Sequence, residues 1–189
     1  MTRYIVLGRF QPFHKGHEFL VNSALELCQQ SGDELVIAIC SSSKGWESDN
    51  PWTYEERKSM IESWLNYSDK QGEIIGIEDI NDPPNWVAHA IKFHGVGVLV
   101  TSDKDTHDLY QQSGFETYVI DLSNRDNLEG WRVRQTALML STVYDDDAVA
   151  SVLSSLIPEI TKTHKTISID LLGHGKTDCL GYIHSMELM

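Results

Sequence analysis

The most informative stretch of the chain is residues 4–17, which read Tyr-Ile-Val-Leu-Gly-Arg-Phe-Gln-Pro-Phe-His-Lys-Gly-His. Its first four residues are apolar and are followed by Gly8, a pattern typical of a buried strand that ends in a sharp turn. From Gly16 onward apolar residues recur at helical spacing, which predicts a helix over 16–30. A strand, a glycine-containing loop and a helix in this order are typical of α/β proteins in which the helix start binds an anion.

The same alternation of short apolar runs and amphipathic segments continues over the first 140 residues. Thr53 is a predicted helix N-cap, because Glu56 three residues later completes a capping box. Strands that alternate with helices predict an α/β fold: a Rossmann-like, doubly wound parallel sheet with helices on both faces. The loops after the strands should then meet at one edge of the sheet, where such proteins bind ligands. The other predicted strands are 35–40, 73–77, 96–100 and 117–120, and the other predicted helices include 86–93 and 104–112.

The pattern changes near Trp131, where the chain becomes helical. A further helix is predicted over 149–160, and 166–172 is a candidate strand. Asp145, Asp146 and Asp147 fit an exposed helix start, where the helix dipole favours acidic residues, with a metal site as the alternative. The predicted parts of the chain are a Rossmann-like domain over 1–140, a small helical C-terminal part over 141–165 packed on it, and an extension over 166–189 of unknown role.

Composition limits the kinds of partner. The chain of 189 residues has 28 Asp and Glu against 15 Lys and Arg, so its formal net charge is −13. This charge repels nucleic acid polymers and anionic membranes, and no apolar run is long enough to span a bilayer. The N-terminus lacks the apolar region of a signal peptide, and the three cysteines form no metal-like pattern. We therefore expect a reduced, cytoplasmic protein that acts on small molecules, and we expect it to be a homo-oligomer.

The loop between the first strand and the first helix carries the candidate chemistry. His14 and His17 lie three residues apart at the start of the helix, beside its unpaired N–H groups and the positive end of its dipole. Together with Arg9 and Lys15, they predict a pocket for a polyphosphate. Two alternatives remain open at this point: a basic surface turn, and a pair of metal-binding histidines.

Residues 8–17 resemble the H-x-G-H nucleotide signature of the nucleotidyltransferase superfamily. The full ten-residue form is similar to that of the archaeal-type nicotinamide mononucleotide (NMN) adenylyltransferases. The resemblance continues through residues 50–57, which read Asn-Pro-Trp-Thr-Tyr-Glu-Glu-Arg, and through Asp79 and the segment 85–89. It covers most of the predicted Rossmann-like domain in register.

The resemblance implies an enzyme that transfers the adenylyl group of ATP directly to NMN and so forms NAD and diphosphate. It assigns catalysis to His14, His17 and Arg134, and it stacks the nicotinamide on Trp86. Mg²⁺ is implied as a cofactor held mainly by the ATP phosphates, without a metal site on the protein. The implied ATP-binding residues are Gly8, Arg9, Phe10, Gln11, Phe13, Gly16, Asn124, Arg125 and Gly130. The implied NMN-binding residues are Ser41, Ser42, Asp79, Trp86 and Val87.

The second phosphate motif, residues 124–134, departs from the family pattern. Glu129 replaces a serine and Trp131 replaces a threonine. A carboxylate beside a triphosphate costs about 1 kcal/mol or more in Coulomb energy. We therefore expect Glu129 to face outward and pair with Arg132 or solvent. The alternative is that it lies in the pocket and weakens ATP binding.

Two other functions remain open. A related nucleotidyltransferase with another phosphate acceptor, such as phosphopantetheine, a polyol phosphate or FMN, would share the first motif but lack residues 50–53 and Trp86 as they stand here. A nucleotide-binding module with weak or no turnover is conceivable because of Glu129 and Trp131.

Overall fold

The structure is a computed structural model that describes residues 2–28, 30, 32–122 and 128–158, together with the backbone of two later strands. Internal contacts divide the chain into two compact units. Both units are discontinuous in sequence, and the domain boundaries predicted at 140 and 165 stay a prediction. Unit 1 consists of Met1–Phe10, Gly16–Ser43 and Gln71–Asn124, and unit 2 of Gln11–Lys15, Lys44–Lys70 and Arg125–Met189.

Unit 1 contains a five-stranded sheet in the order β3-β2-β1-β4-β5, and each neighbouring pair is parallel. The order reverses direction at β1, so right-handed crossovers place helices on both faces. The predicted doubly wound parallel sheet is therefore confirmed. The strands are β1 (Arg3–Gly8), β2 (Glu34–Cys40), β3 (Glu73–Ile77), β4 (Val98–Thr101) and β5 (Glu116–Val119).

The helices differ from their predicted bounds mainly at their ends. The helix predicted over 16–30 stops at Leu27, because the Gln30 N–H bonds the Asp33 carboxylate instead of continuing the helix. The helix predicted over 149–160 begins earlier, where Asp145 caps it by accepting from the Ala148 N–H. The helices are α1 (Lys15–Leu27), α2 (Tyr54–Tyr67), α3 (Trp86–His94), α4 (Lys104–Gln112), α5 (Gly130–Leu140) and α6 (Asp146–Leu153), with a short 3₁₀ turn over Pro83–Asn85.

The three central strands of unit 1, β1, β2 and β4, are buried on both sides. On one face Ile5, Val36 and Leu99 pack with Val87 of α3 and Tyr110 of α4. Successive strand residues point to opposite faces, so the residues between these belong to the other side of the sheet. Removing both faces from water explains why the strands read as continuous apolar runs. The fully buried strand residues of that other face are Val6, Ile37, Ile39 and Val100.

The strand predicted over 96–100 begins only at Val98. A Cβ atom at Gly97 would lie 2.1 Å from the carbonyl oxygen of Arg3, so the chain enters the sheet against the backbone of β1. Only glycine fits this close approach, and the regular strand starts beyond it.

Unit 2 contains α2, α5 and α6 and a two-stranded antiparallel sheet. The predicted capping box is confirmed: the Thr53 hydroxyl accepts from the Glu56 N–H, and the Glu56 carboxylate accepts from the Thr53 N–H. The candidate strand over 166–172 corresponds to β6 (Thr166–Asp170), which pairs with β7 (Tyr182–Met186). The sequence analysis missed β7, since a single short ribbon strand carries little local signal.

His94 is a fully buried polar residue at the end of α3. Its Nδ1 lies 2.7 Å from the Gly95 carbonyl oxygen, and its Nε2 lies 3.0 Å from the Tyr110 hydroxyl. Because a carbonyl only accepts, Nδ1 carries the proton and Nε2 accepts from Tyr110. Burial lowers the pKa of His94 and raises that of Tyr110, so both side chains are neutral at pH 7.

We expect His94 to make the folded protein sensitive to acid. Its pKa is lower in the folded state than in the unfolded chain, so stability present above about pH 6.5 is lost as the pH falls. His94→Gln should cost about 1–3 kcal/mol of unfolding free energy at neutral pH and should reduce the acid slope. Urea unfolding across this pH range measures both quantities. Tyr110→Phe is the control, because it keeps the imidazole and should keep the dependence of the unfolding free energy on pH. An unchanged pH dependence in His94→Gln would contradict this account.

Candidate active site

Residues 8–17 divide between the two units, since residues 11–15 belong to unit 2 and the others to unit 1. In unit 1, Phe10 shapes the loop that leaves β1. Its φ is 50° and its side chain is buried. The ring folds back over Gly8, where a Cβ atom would lie 3.3 Å from the Phe10 Cζ. The same ring meets the imidazole of His17 edge-on, with 4.7 Å between ring centroids. Phe10 thus fills the space beside Gly8 and contacts His17 in the first turn of α1.

His14 immediately precedes α1 and is 6% exposed. Burial lowers the pKa of its imidazole to about 4. The ring is therefore neutral at pH 7 and has one N–H donor and one acceptor nitrogen. Such a group can bind an anion by donating a hydrogen bond, without contributing a positive charge of its own.

Two other residues of the motif are engaged inside unit 2. The Gln11 side-chain amide donates to the Trp52 carbonyl oxygen at 2.8 Å, and its oxygen accepts from the Trp52 N–H at 3.1 Å. Phe13 is buried against Trp64 of α2, with 5.2 Å between ring centroids. These side chains hold the loop, and the predicted role of both residues in ATP binding stays a prediction.

The segment before α2 is a buried scaffold. Arg57 is fully buried, and its guanidinium donates to the carbonyl oxygens of Thr53 at 3.1 Å and Lys44 at 3.4 Å. Asn50 is 8% exposed, and its Oδ1 has no donor within the described part of the chain. Local pattern in the sequence predicted the capping box of this segment, and the family resemblance indicated the rest of it. No local pattern predicted that the Arg57 side chain is buried.

The second phosphate motif brings Arg134 to the first motif within unit 2. Nη1 of Arg134 donates to the Gln11 carbonyl oxygen at 2.8 Å. Gly130 opens α5 beside this contact, and a Cβ atom there would lie 3.3 Å from the same oxygen. The structure thus joins Gln11, Gly130 and Arg134, whereas the predicted ligands Asn124 and Arg125 lie outside the described residues.

Glu129 is paired away from this contact. Its Oε2 accepts from the Trp131 indole N–H at 2.7 Å and from the Arg132 Nε at 3.2 Å. The Arg132 guanidinium also lies over the Trp131 ring, 4.6 Å from the centroid. All three side chains are substantially exposed. The expectation that Glu129 faces outward and pairs with Arg132 is confirmed.

Trp86 and Val87 begin α3 in unit 1. The Trp86 ring packs on the apolar core and meets Tyr110 edge-on, with 6.3 Å between centroids. The Val87 side chain is buried in that core, so its first-turn backbone amide is the part of the residue suited to a polar ligand. Trp86 is partly exposed and keeps a surface on which a flat ring could stack.

The loops after β2 and β3 lie side by side. The Ser42 N–H donates to the Ile77 carbonyl oxygen at 3.0 Å, while Ser41 is nearly buried with φ 52°. Asp79 lies two residues after Ile77 and is exposed. His89 of α3 bonds the carbonyl oxygen of Glu78 through Nε2 at 3.1 Å, which ties this loop to the helix.

Within the described ranges, no three His, Cys, Asp or Glu side chains group closely enough to hold a metal ion. In the same part of the chain, none of the helices has the length and apolarity needed to cross a bilayer.

The fold and the two motifs define a nucleotide-binding domain of the Rossmann type, and residues 5–136 match the cytidylyltransferase-like family. The nicotinamide-nucleotide adenylyltransferase of Archaeoglobus fulgidus is 32% identical over 143 residues, which cover 72% of this chain and 80% of that protein. The protein of the same name from Methanospirillum hungatei is 30% identical over 185 residues, 96% of this chain and 99% of its own length. The chain therefore belongs to the cytidylyltransferase-like family and, within it, to the family of these archaeal nicotinamide-nucleotide adenylyltransferases.

A solved structure is also similar. It is the bifunctional NMN adenylyltransferase/ADP ribose pyrophosphatase from Francisella tularensis, complexed with AMP and a Mn ion. The TM-score is 0.59 and the identity 25%, over 74% of this chain but only 42% of that one. The likeness thus concerns less than half of the bifunctional protein.

We expect His14 of the ligand-free protein to titrate near pH 4, because burial disfavours the charged form of its ring. NMR titration of the imidazole Cε1–H resonances measures this, and His14→Ala assigns the signal by its disappearance. A His14 resonance that titrates near the ordinary histidine pKa of about 6.5 would show that the ring is hydrated.

Proposed function

We propose that this protein is a nicotinamide-nucleotide adenylyltransferase, which joins ATP and NMN to form NAD and releases diphosphate. The observation that carries the proposal is the ten-residue motif at 8–17, which follows the central strand β1 in a chain of this family. The carboxyl end of the strand at which the order of a doubly wound sheet reverses is the usual place for a nucleotide.

The reaction is a direct in-line transfer. The 5′-phosphate of NMN attacks the α-phosphorus of ATP, and diphosphate leaves with the electron pair of the broken bond. A phosphate monoester is ionised at pH 7 and is already nucleophilic, so no general base is needed. The protein accelerates the step by positioning the two substrates and by stabilising the charge that develops on the transferred group and on the diphosphate.

The two histidines have different roles in this proposal. His14 donates a hydrogen bond from a neutral ring, as its low pKa supports. His17, which contacts the Phe10 ring, acts nearest the α/β bridge of the triphosphate. Arg9 and Arg134 bind the outer phosphates with Arg125 in support, since guanidinium groups suit phosphate oxygens. The other residues proposed to form the ATP site are Gly8, Phe10, Gln11, Phe13, Gly16, Asn124 and Gly130.

The acceptor NMN is assigned to unit 1. The Trp86 ring stacks on the nicotinamide, and Asp79 together with backbone groups near Val87 reads the carboxamide. Ser41 and Ser42 complete the proposed NMN site, which the bond from Ser42 to Ile77 supports by bringing the two loops together.

Mg²⁺ enters in this proposal as part of the ATP substrate. Phosphate oxygens and water are the ligands that this hard cation prefers, and they suffice without a protein carboxylate cage. The bound ion spreads the negative charge of the triphosphate and of the leaving diphosphate.

A cytoplasmic homo-oligomer without nucleic acid or membrane partners completes the proposal. The net charge of −13 supports the absence of polyanionic partners. Light scattering coupled to gel filtration measures the oligomeric state.

Calorimetry with ATP and with NMN, followed by an NAD-formation assay with NMN and with nicotinate mononucleotide, tests the proposed function. We expect both substrates to bind and NAD and diphosphate to form in equal amounts. His17→Ala serves as the control and should lower kcat about 10²–10³-fold, the scale for one lost electrostatic donor. ATP binding without turnover would favour a nucleotide-binding module, and turnover only with FMN or phosphopantetheine would favour a related transferase.

We expect Trp86→Ala to raise the KM for NMN, because it removes a stacking surface worth about 1–3 kcal/mol, while the KM for ATP changes little. Steady-state kinetics with each substrate varied separately measures the split. Trp86→Phe keeps an aromatic surface and should recover part of the loss, and Tyr144→Ala removes a ring that is 86% exposed as a control. A larger effect on ATP than on NMN would place the nicotinamide elsewhere.

We expect Glu129→Ser to change the KM for ATP by less than about threefold, under ~0.7 kcal/mol. The reason is that the Glu129 carboxylate is bonded to Trp131 and Arg132 rather than to the second phosphate motif. Arg134→Ala, assayed in parallel, should raise the KM for ATP by much more, because it removes a guanidinium from the phosphates. Tenfold tighter ATP binding by Glu129→Ser would show that the carboxylate faces the pocket.

A further inference from the structure

Gln11 lies in the ATP motif, but its side chain is committed to the protein backbone. It is 3% exposed, and both ends of its amide bond the backbone of Trp52, which is 1% exposed. The arrangement imitates the paired hydrogen bonds between two strands. Turning the amide toward a ligand would leave a buried N–H and a buried carbonyl unpaired, which is costly.

The backbone of the same residue meets Arg134. The Gln11 carbonyl oxygen accepts from Nη1 of Arg134 at 2.8 Å. A Cβ atom at Gly130 would lie 3.3 Å from that oxygen and 3.5 Å from Nη1, so glycine gives the guanidinium room to reach the carbonyl. A guanidinium is planar and has five N–H donors, so a bond from one of them to a fixed carbonyl restricts where the rest of the group can lie.

We propose that Gln11 is a positioning residue: its side-chain bonds to Trp52 fix its carbonyl, and the carbonyl holds Arg134 in the orientation that binds the phosphates of ATP. The inference rests on the proposed function, because Arg134 contacts phosphate only in that proposal. Holding the guanidinium in advance removes the cost of ordering a long side chain when ATP binds.

The experiment is a double-mutant cycle between Gln11→Met and Arg134→Ala. Methionine keeps the length of the side chain but removes both hydrogen bonds to Trp52. We expect Gln11→Met to lower kcat/KM for ATP about tenfold when Arg134 is present and less than about twofold in the Arg134→Ala background. The KM for NMN should not change. Gln112→Met, an exposed position on α4, is the matched control and should leave all constants unchanged.

Thermal unfolding separates positioning from stability. The loss of the Trp52 bonds should lower the melting temperature equally in both backgrounds, whereas the loss in kcat/KM should depend on Arg134. An equal loss in kcat/KM with and without Arg134 overturns the proposal. If Gln11→Met does not fold, Gly130→Ala replaces it in the cycle, since its methyl group presses on the same contact while alanine favours the helix.

The two proposals fail in distinguishable ways. If the wild-type protein forms no NAD, the proposed function is overturned. The double-mutant cycle between Gln11→Met and Arg134→Ala is then measured as changes in ATP affinity by calorimetry. A wild-type protein that turns over, with additive variants, overturns only the positioning role of Gln11.

Discussion

The structure depends on the parallel pairing of β1 with both β2 and β4. The register runs from Arg3 opposite Glu34 on one side and from Tyr4 opposite Val98 on the other. Because the strand is hydrogen-bonded along both edges and buried on both faces, its carboxyl end is a fixed point. Gly8 stands at that end, where the strand order reverses. The loop and helix that follow therefore start from a rigid origin, as positioned catalysis requires.

Few polar side chains are buried in the part of the chain that the structure describes, and burial affects the protonation state of two of them, His14 and His94. Burial lowers the pKa of His14 to about 4, so its ring is neutral at pH 7. Burial also makes His94 neutral at pH 7, and its two ring nitrogens bond the Gly95 carbonyl oxygen and the Tyr110 hydroxyl within the core. Desolvation thus sets the protonation state of both histidines.

The departure from the second phosphate motif is resolved by local pairing. A serine-to-glutamate replacement would place a carboxylate among phosphates if the side chain kept its direction. Trp131 and Arg132 both donate to that carboxylate, and the arginine stacks on the indole. The two residues that depart from the family pattern are therefore complementary, because the Trp131 indole donates to the Glu129 carboxylate.

Local pattern determined the secondary-structure alternation, the parallel sheet and the capping box at Thr53, because strand burial and helix capping are properties of short segments. It also placed the first motif correctly after β1. Local pattern did not predict the exact ends of two elements. Helix α1 stops at Leu27 and strand β4 starts at Val98, because these limits depend on Asp33 and on the Arg3 carbonyl. Only tertiary structure decided that the Gln11 side chain bonds Trp52 and that its carbonyl meets Arg134, 123 residues away in sequence. Such contacts join segments far apart in the chain, and no periodicity or spacing within either segment records them.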